Sequence, residues 1–271
     1  MSNLKMYCLS LNPLHLELIK KIGYIPVGLG SQDFTSEWYQ DKIGKSIALK
    51  NSHYGEYTFH YWLWKNNQLK FDNWIGFCQY RKFWKINTNL SRINNFTDLN
   101  NLLLKRIPKH LDNYESILGE NFYINKIKFS KLIKHNFKTM VLNPNLFFDE
   151  SKRTIKFHFD MMHGHGNLER AINLLDSEDR EDFRFFVNTE VSFNPQNMFI
   201  CKKQTTLLKY YETLFPWLER CEKIFGFENL EGYGLKRIYG FLAERYMSFW
   251  FKKYTNFTIL PIQFKDISDF L

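Results

Sequence analysis

Arg81 and Lys82 are adjacent cations that follow directly on WIGFCQY, the apolar stretch at residues 74–80. That composition is typical of a buried strand, so the cations lie where the strand reaches the protein surface. Two fixed positive charges at such a point can neutralise a diphosphate leaving group without a metal ion. Tyr80 and Trp84 flank the two cations, and aromatic side chains of this kind fit either a dense core or a cleft that stacks flat ligands. A pair of ordinary solvated cations is the alternative that these residues leave open.

The carboxylate of Glu244 is a second candidate for chemistry, because it stands beside Arg245 in the aromatic helix pattern of residues 237–251. Successive helix positions point about 100° apart, so we expect one of the two side chains to face inward. A carboxylate among apolar side chains suits general-base work, whereas an inward arginine suits a phosphate or carboxylate. Glu190 and Glu56 are weaker candidates for the base. A purely structural role for Glu244 stays open.

Residue types that bind metals are sparse in this sequence. The chain has no D-x-D pair, the two carboxylates with which many nucleotide-sugar transferases hold a divalent cation. His163 and His165 are close together in HGHG, but a zinc site needs three or four ligands and no further cluster is nearby. We therefore expect that no metal or other cofactor is required, although a divalent cation stays possible.

Positive charge is concentrated in one part of the chain. The formal net charge is +9, and residues 81–140 contain twelve Lys/Arg against four Asp/Glu. Such an excess attracts nucleic acid, anionic lipid headgroups or a diphosphate. Nucleic-acid binding is the alternative function, but the basic segment matches no recognised nucleic-acid module. A non-catalytic sugar-binding or scaffold protein is the third hypothesis.

The order of helix and strand patterns predicts an α/β protein. Strands are predicted at 4–10, 24–30, 74–80 and 195–203, and helices after residue 12, at 51–67, at 207–225 and at 237–251. Residues 98–135 have a basic helical pattern that Pro108 interrupts. No repeat, low-complexity linker or change in composition divides the chain. We therefore expect a single domain over residues 1–271.

The cysteines and the hydropathy pattern indicate the compartment. Four scattered cysteines lack the spacing of a zinc site or a disulfide framework. The first residues lack the apolar block of a secretory signal, and no stretch approaches the ~18 apolar residues of a membrane span. We therefore expect a cytoplasmic protein.

Several segments together resemble the motifs of a known family. NSHYGEYTFHYWLWKN at 51–66 and WIGFCQYRKFW at 74–84 resemble its paired motifs, KN..Y.ELT..YW.WKN and.GL.HYRRYF. TIKFHFDMMH at 154–163, PQNMFICKK at 195–203 and the GFLAER stretch of 237–251 are similar to its later segments, the last of them GFLSERL. The family has an uncharacterised domain and occurs in bacterial capsule and exopolysaccharide clusters.

This resemblance implies a glycosyltransferase of the hexosyltransferase type. It would move a sugar from a nucleotide-diphosphate donor, UDP-linked by expectation, to a growing lipid-linked surface polysaccharide. Some relatives are assigned as galactofuranosyltransferases, so galactofuranose or another hexose is expected. The implied fold is GT-A-like, with a mixed central sheet flanked by helices. The expected location is the inner face of the plasma membrane, with an anionic lipid surface and no nucleic acid as partner.

The resemblance also implies roles for individual residues. The expected donor-binding residues are Lys50, Asn51, Tyr54, Glu56, Tyr80, Arg81, Lys82 and Arg245. The expected residues of the acceptor or sugar pocket are His163 and Asn197, and the expected catalytic residue is Glu244. Trp84 is a further candidate for the pocket and Glu190 for catalysis, both from their residue types rather than from the family motifs. Gln79 stands where the family has His, Lys82 where it has a second Arg, and Phe83 where it has Tyr. The segment therefore favours diphosphate binding over acid–base chemistry.

Overall fold

A computed structural model of the chain describes residues 2–70, 73–86, 93–127 and 149–271. The chain forms two compact units. Unit 1 consists of Met1–Glu120, Gln196–Glu212 and Phe251–Leu271, and unit 2 of Asn121–Pro195 and Thr213–Trp250. The chain passes from one unit to the other more than once, and the single domain expected over residues 1–271 stays a prediction.

Strands in the described residues belong mostly to unit 1. They are β1 (Ser2–Ser10), β2 (Ile25–Gly28), β3 (Tyr39–Gln40), β4 (Trp74–Gln79), β5 (Lys82–Trp84), β6 (Arg106–Ile107), β7 (Ser116–Gly119), β8 (Phe122–Tyr123), β9 (Ser192–Phe193), β10 (Phe199–Cys201), β11 (Phe257–Leu260) and β12 (Ile262–Phe264). The main sheet has the order β11-β7-β10-β4-β1-β2-β3. β8 and β9 form a separate antiparallel pair in unit 2.

The centre of the unit 1 sheet is parallel. β1 lies between β2 and β4 and is parallel to both, and β3 is parallel to β2. β10 is antiparallel to β4, so the sheet is mixed. All six residues of β4 are buried, as expected for a parallel strand covered on both faces. The predicted α/β class, with a mixed central sheet, is confirmed.

The order of the parallel strands creates a crevice at one edge of the sheet. From β1 the chain passes to β2 and β3 on one side, and it returns to β4 on the other side of β1. The carboxyl ends of these strands lie at the same edge, and the strand order reverses direction between β1 and β4. In open α/β sheets, ligands bind at such a topological switch point.

Helices in the described residues lie between the strands and throughout unit 2. They are α1 (Leu16–Ile22), α2 (Asn51–Tyr54), α3 (Tyr57–Lys65), α4 (Phe96–Leu102), α5 (Ile155–His163), α6 (Asn167–Ile172), α7 (Ser177–Thr189), α8 (Gln204–Phe225), α9 (Gly232–Lys236) and α10 (Ile238–Tyr254). Where one helix was predicted over 51–67, α2 and α3 are separated at Gly55. Gly55 has a φ of 57° and a ψ of −133°, which interrupts the helix.

The helical prediction for residues 98–135 is wrong over much of its length. After α4 the chain forms β6, β7 and β8, and residues 128–135 lie outside the described part. β7 is fully buried and pairs with both β10 and β11. Its conformation therefore depends on distant strands, which a local helical pattern does not reveal.

Aromatic side chains form much of the core of unit 1. The Phe77 ring lies 5.1 Å from Phe199, 5.8 Å from Tyr7 and 4.3 Å from the His60 ring. All four residues are buried. Much of the high aromatic content thus serves packing. In the parts of the chain that the structure describes, no helix is both long and apolar enough to cross a membrane.

Unit 2 is mainly helical. The Trp217 indole donates a hydrogen bond of 2.7 Å to the main-chain oxygen of Ala171, which joins α8 to α6. The Tyr246 hydroxyl donates to a carboxylate oxygen of Asp179 at 2.5 Å, which joins α10 to α7. Phe183 packs within 6.0 Å of the Trp217 ring. These buried contacts make unit 2 a packed core of its own.

Candidate functional site

A cavity of about 850 Å³ lies in unit 1 at the carboxyl edge of β1 and β2. Its walls are Leu11, directly after β1, residues 29–32, directly after β2, and Lys42 with residues 46–52. Each wall segment follows a parallel strand or leads into α2. The fold therefore brings together loops that are distant in the sequence.

Glycines shape the loop that follows β2. A Cβ atom on Gly28 would lie 2.5 Å from the Phe34 ring, so glycine permits that ring to cover the strand end. Gly30 has a φ of 79°, which favours glycine. A Cβ on Gly30 would lie 3.5 Å from the Leu11 side chain and 3.8 Å from Asn51 Oδ1. The loop thus passes close to the other walls of the cavity.

Hydrogen bonds anchor the wall at residues 46–52. The Asn51 amide donates to the Gly55 main-chain oxygen at 3.0 Å and to Thr58 Oγ1 at 3.2 Å. The Ser46 hydroxyl donates to the main-chain oxygen of Asp41. Burial raises the pKa of the Asp41 carboxyl, which the hydrogen bond to Thr58 partly offsets. Asp41 Oδ2 has no hydrogen-bond partner among the described residues.

The carboxyl end of β4 is held from two sides. The Gln79 side-chain amide donates to Glu56 Oε1 at 2.8 Å and to the Gln196 main-chain oxygen at 3.0 Å. The Tyr80 main-chain N–H donates to the Leu9 oxygen of β1 at 3.0 Å. Arg81 is exposed, and its guanidinium lies 5.5 Å from the Tyr80 ring. The strand end is therefore fixed, and a cation follows it at the switch point.

Residues 13–256 match the model of a family described as a domain of unknown function, DUF4422. The chain belongs to this family. The expected membership of an uncharacterised-domain family is thus confirmed. No curated protein matches the sequence at a significant level.

A solved structure with a similar fold is the apo form of WbbM, described as a bifunctional glycosyltransferase. It is 18% identical with a TM-score of 0.67, and the match covers 97% of this DUF4422 chain and 45% of WbbM. The chain therefore spans less than half the length of that protein. Identity at this level shows the fold alone, and the predicted GT-A-like fold is confirmed.

A second solved structure is core-mannan synthase A (CmsA/Ktr4) from Aspergillus fumigatus in its Mn/GDP form. It is 12% identical over 93% of this chain and 70% of that chain, with a TM-score of 0.32. That score is too low to support a conclusion about this DUF4422 domain.

The donor residues expected from the sequence fall into separate groups in this DUF4422 chain. Lys50 and Asn51 form part of the cavity wall. Tyr54 is buried, and Glu56 accepts the hydrogen bond from Gln79. Lys82 pairs with Gln79 across the hairpin from β4 to β5, next to Tyr80 and Arg81. Arg245 belongs to unit 2.

Two of the residues expected in the sugar pocket are buried in unit 1. Trp84 is fully buried, and its indole donates to the Phe77 main-chain oxygen at 2.9 Å. Trp84 is thus a core residue, which does not fit the predicted pocket role. Asn197 is buried just before β10 and has a φ of 54°. A positive φ in a non-glycine residue requires support from its surroundings.

Glu244 and Arg245 are both buried in α10 of unit 2, where only one of them was expected to face inward. Their side chains form an ion pair. The Arg245 guanidinium also donates to His158 Nδ1 at 3.2 Å and lies 4.2 Å from the Phe193 ring. Burial and then the charge of Arg245 lower the His158 pKa to about 3, so its neutral ring accepts that bond.

His163 is buried as well and stacks on Phe241 at 4.0 Å between ring centroids. Its Nδ1 lies 3.0 Å from the Gly234 main-chain oxygen, and burial followed by the Arg245 charge lowers its pKa to about 2. The neutral ring therefore donates to that oxygen. Glu190 is exposed at the carboxyl end of α7, where its main-chain oxygen accepts from Ile155 at 2.9 Å.

No group of three or more His, Cys, Asp or Glu side chains suited to a metal ion occurs within the described residues. The expectation that no metal is required stays a prediction. Sequence reasoning missed Asp41, Lys42 and the loop at 29–32. The sequence did contain a signal for the loop at 29–32, namely the two glycines of YIPVGLG at the end of a predicted strand. Glycines in such a position often mark a close approach of the backbone to a ligand.

Proposed function

We propose that this chain is a glycosyltransferase that uses a nucleotide-diphosphate sugar as donor. The observation that carries the proposal is the cavity at the carboxyl edge of the parallel strands in a GT-A-like sheet. Ligands of α/β proteins bind at this edge, and about 850 Å³ is within the usual range for such sites.

Cations at this edge support the choice of a diphosphate. Lys42 and Lys50 line the cavity, and Arg81 and Lys82 follow β4 at the switch point. In the proposed reaction the bond from the anomeric carbon to the diphosphate oxygen breaks, and the diphosphate leaves with the electron pair. The lysine and arginine side chains would stabilise that negative charge.

The acceptor is a hydroxyl group that attacks the anomeric carbon and releases its proton to a base. Glu244 is the proposed base, with Glu190 as the second candidate and Arg245 as a further donor-binding residue. The buried ion pair between Glu244 and Arg245 also supports a structural role, which a stability measurement distinguishes from catalysis.

The finer proposal follows from the family resemblance. The donor is UDP-linked and carries galactofuranose or another hexose, and the acceptor is a lipid-linked surface polysaccharide at the inner face of the plasma membrane. The proposed enzyme acts as a single domain over residues 1–271, requires no metal and contacts an anionic lipid surface.

Calorimetry with UDP and a panel of nucleotide sugars tests the proposal. We expect UDP to bind, and Lys50→Ala to weaken binding about tenfold or more because a contact to the diphosphate is lost. Lys109→Ala is the matched control. This exposed lysine follows β6, and β6 pairs with the amino end of β1, whereas the cavity lies at the carboxyl end. Absence of binding by any nucleotide diphosphate, together with tight RNA binding, would favour the nucleic-acid alternative.

A further inference from the structure

Four large aliphatic side chains are exposed on the segments that line the cavity in unit 1 or directly adjoin its lining residues. Leu11 and Leu49 line the cavity and are 48% and 100% exposed. Leu14 is 69% exposed and lies three positions after Leu11 in the sequence. Ile43 is 67% exposed and directly follows the lining residue Lys42. We call these four residues the apolar rim.

The apolar rim differs from the isolated exposed hydrophobic residues that every protein surface has. Two of its members line the cavity and the other two lie within three positions of lining residues in the sequence, and a grouped apolar surface marks an interaction site. The segment at residues 42–52 contains Lys42, Lys45 and Lys50 and neither Asp nor Glu. Aliphatic and cationic side chains therefore alternate on the same segment.

We propose that the apolar rim and Lys45 dock the protein on an anionic lipid bilayer, while Lys42 and Lys50 face the cavity that they line. Aliphatic side chains would enter the boundary between headgroups and acyl chains, and Lys45 would contact lipid phosphates. A protein partner fits less well, because the cores of protein interfaces are depleted of lysine. The proposal rests on the proposed function in one respect, namely that a lipid-linked acceptor brings the enzyme to a membrane.

Docking through the rim is distinct from docking through the basic segment at 81–140. Arg106 of that segment pairs with Asn3 at the amino end of β1, whereas the cavity follows Ser10 at the carboxyl end. At about 3.3 Å per residue the two ends are about 20 Å apart. Arg81 and Lys82 lie at the carboxyl edge instead, so the described cations of the segment do not form one face of unit 1.

Several basic residues of that segment are outside the described part of the chain. They are Arg92, Lys128, Lys131, Lys134 and Lys138. The rim proposal uses none of them and can be tested by itself.

Co-sedimentation with vesicles tests the proposal directly, using phosphatidylcholine with and without about one third phosphatidylglycerol. We expect binding to the anionic vesicles, and the double variant Leu14→Asn/Ile43→Asn should lower the partition coefficient about tenfold or more. Phe185→Asn is the matched control, because this unit 2 side chain is 70% exposed. Unchanged partitioning of the double variant would overturn the proposal.

Charge-reversal variants distinguish docking at the carboxyl edge of the sheet from docking at the amino edge. Lys45→Glu should weaken binding to anionic vesicles severalfold, while Lys109→Glu should leave it unchanged. The reverse pattern would assign docking to the amino edge and reject the rim.

A fluorescent label reports insertion. The cysteines Cys8, Cys78, Cys201 and Cys221 are all buried, so Leu49→Cys offers the accessible thiol for an environment-sensitive dye. We expect a blue shift on anionic vesicles at position 49 and none at Asn101→Cys, an exposed position of unit 1. A shift at 101 without one at 49 would contradict the proposal.

UDP calorimetry on the double variant separates docking from donor binding, since neither Leu14 nor Ile43 lines the cavity. Loss of vesicle binding with unchanged UDP affinity supports rim docking. If the protein binds vesicles through the rim but does not bind UDP, the docking proposal is supported and the proposed donor is rejected.

Discussion

The Gln79 side-chain nitrogen donates hydrogen bonds both to Glu56 Oε1, at 2.8 Å, and to the main-chain oxygen of Gln196, at 3.0 Å. One amide group thus connects the end of β4 to the start of α3 and to the segment before β10. The amide nitrogen carries two N–H groups, whereas a histidine ring nitrogen carries one. The Gln79 side chain therefore supplies both bonds from one atom.

Removing this amide should lower the stability of the fold. We expect Gln79→Leu to reduce the free energy of unfolding by about 1–3 kcal/mol, because the partly buried Gln196 carbonyl loses a donor and Glu56 loses a hydrogen bond. Urea denaturation measures the change. Gln68→Leu, at an exposed position, serves as the control and should stay within about 0.5 kcal/mol. Equal stability of both variants would show that the amide bonds contribute little.

Donor binding should depend on the cation that follows β4. We expect Arg81→Ala to weaken UDP binding about ten- to a hundredfold, since a charge-assisted hydrogen bond contributes about 1.5–3 kcal/mol. Calorimetry compares it with Arg106→Ala, an exposed arginine at the amino edge of the sheet. Unchanged affinity in a folded Arg81→Ala protein would remove Arg81 from the donor site.

The ion pair in α10 makes Glu244→Gln a stability variant as well as a test of catalysis. Arg245 is fully buried, so loss of its partner leaves an uncompensated charge and should cost about 3–5 kcal/mol. The double variant Glu244→Gln/Arg245→Met removes both charges and should recover much of that loss. Denaturation curves of the single and double variants provide the measurement, and additive losses would contradict coupling.

Catalysis by Glu244 needs a rate measured per folded molecule. If the carboxylate is the general base, Glu244→Gln should lower kcat about a hundredfold or more under conditions where the protein is folded. A wild-type kcat in the folded variant would exclude Glu244 as the base, and Glu190→Gln would then be measured.

Buried neutral histidines should make the fold sensitive to acid. Burial lowers the pKa of His60 to about 3, and those of His158 and His163 are about 3 and about 2, all below the ordinary value of 6.5. At a pH between these lowered pKa values and 6.5, the unfolded chain binds more protons than the folded chain. The free energy of unfolding should therefore fall as the pH drops below about 6.5, by up to about 1.4 kcal/mol per pH unit for each histidine.

Urea denaturation from about pH 7 to about pH 5 checks this slope. His163→Asn retains a side-chain donor for Gly234 and should reduce the slope, whereas His165→Asn, at an exposed position, should not. The raised pKa of Asp41 acts in the opposite direction, but its single carboxylate opposes four imidazoles, because burial also lowers the pKa of His15. Identical slopes in wild type and His163→Asn would contradict the assignment.

Turnover should persist without divalent metal. Lysine and arginine side chains at the carboxyl edge could stabilise the leaving diphosphate, and the chain has no D-x-D pair. Product formation in excess chelator, with and without added manganese or magnesium, is the measurement. Activity that disappears with chelator and returns with metal would reveal a carboxylate site that the sequence reading missed.

Local patterns in the sequence determined several elements correctly. The continuous apolar run of β4 depends on short-range periodicity, and the end of α1 at Gly23, which has a φ of 87°, depends on backbone freedom; both are visible in the sequence. The sequence also showed that a positive charge, Arg81, follows that strand directly. Family membership is likewise a property of the sequence, since the family model matches residues 13–256.

Tertiary structure alone decided the cavity and the environments of the candidate residues. The loops after β1 and β2 become neighbours because parallel pairing aligns the carboxyl ends of their strands, which no local pattern contains. Glu244 and Arg245 both face inward because α10 is buried on nearly all sides. The sequence-based expectation of one inward and one outward side chain holds only for a helix with a solvent-exposed polar face. Trp84 is a core residue for a similar reason. A side chain's partners depend on segments far away in the sequence, and those contacts determine its burial and its charge.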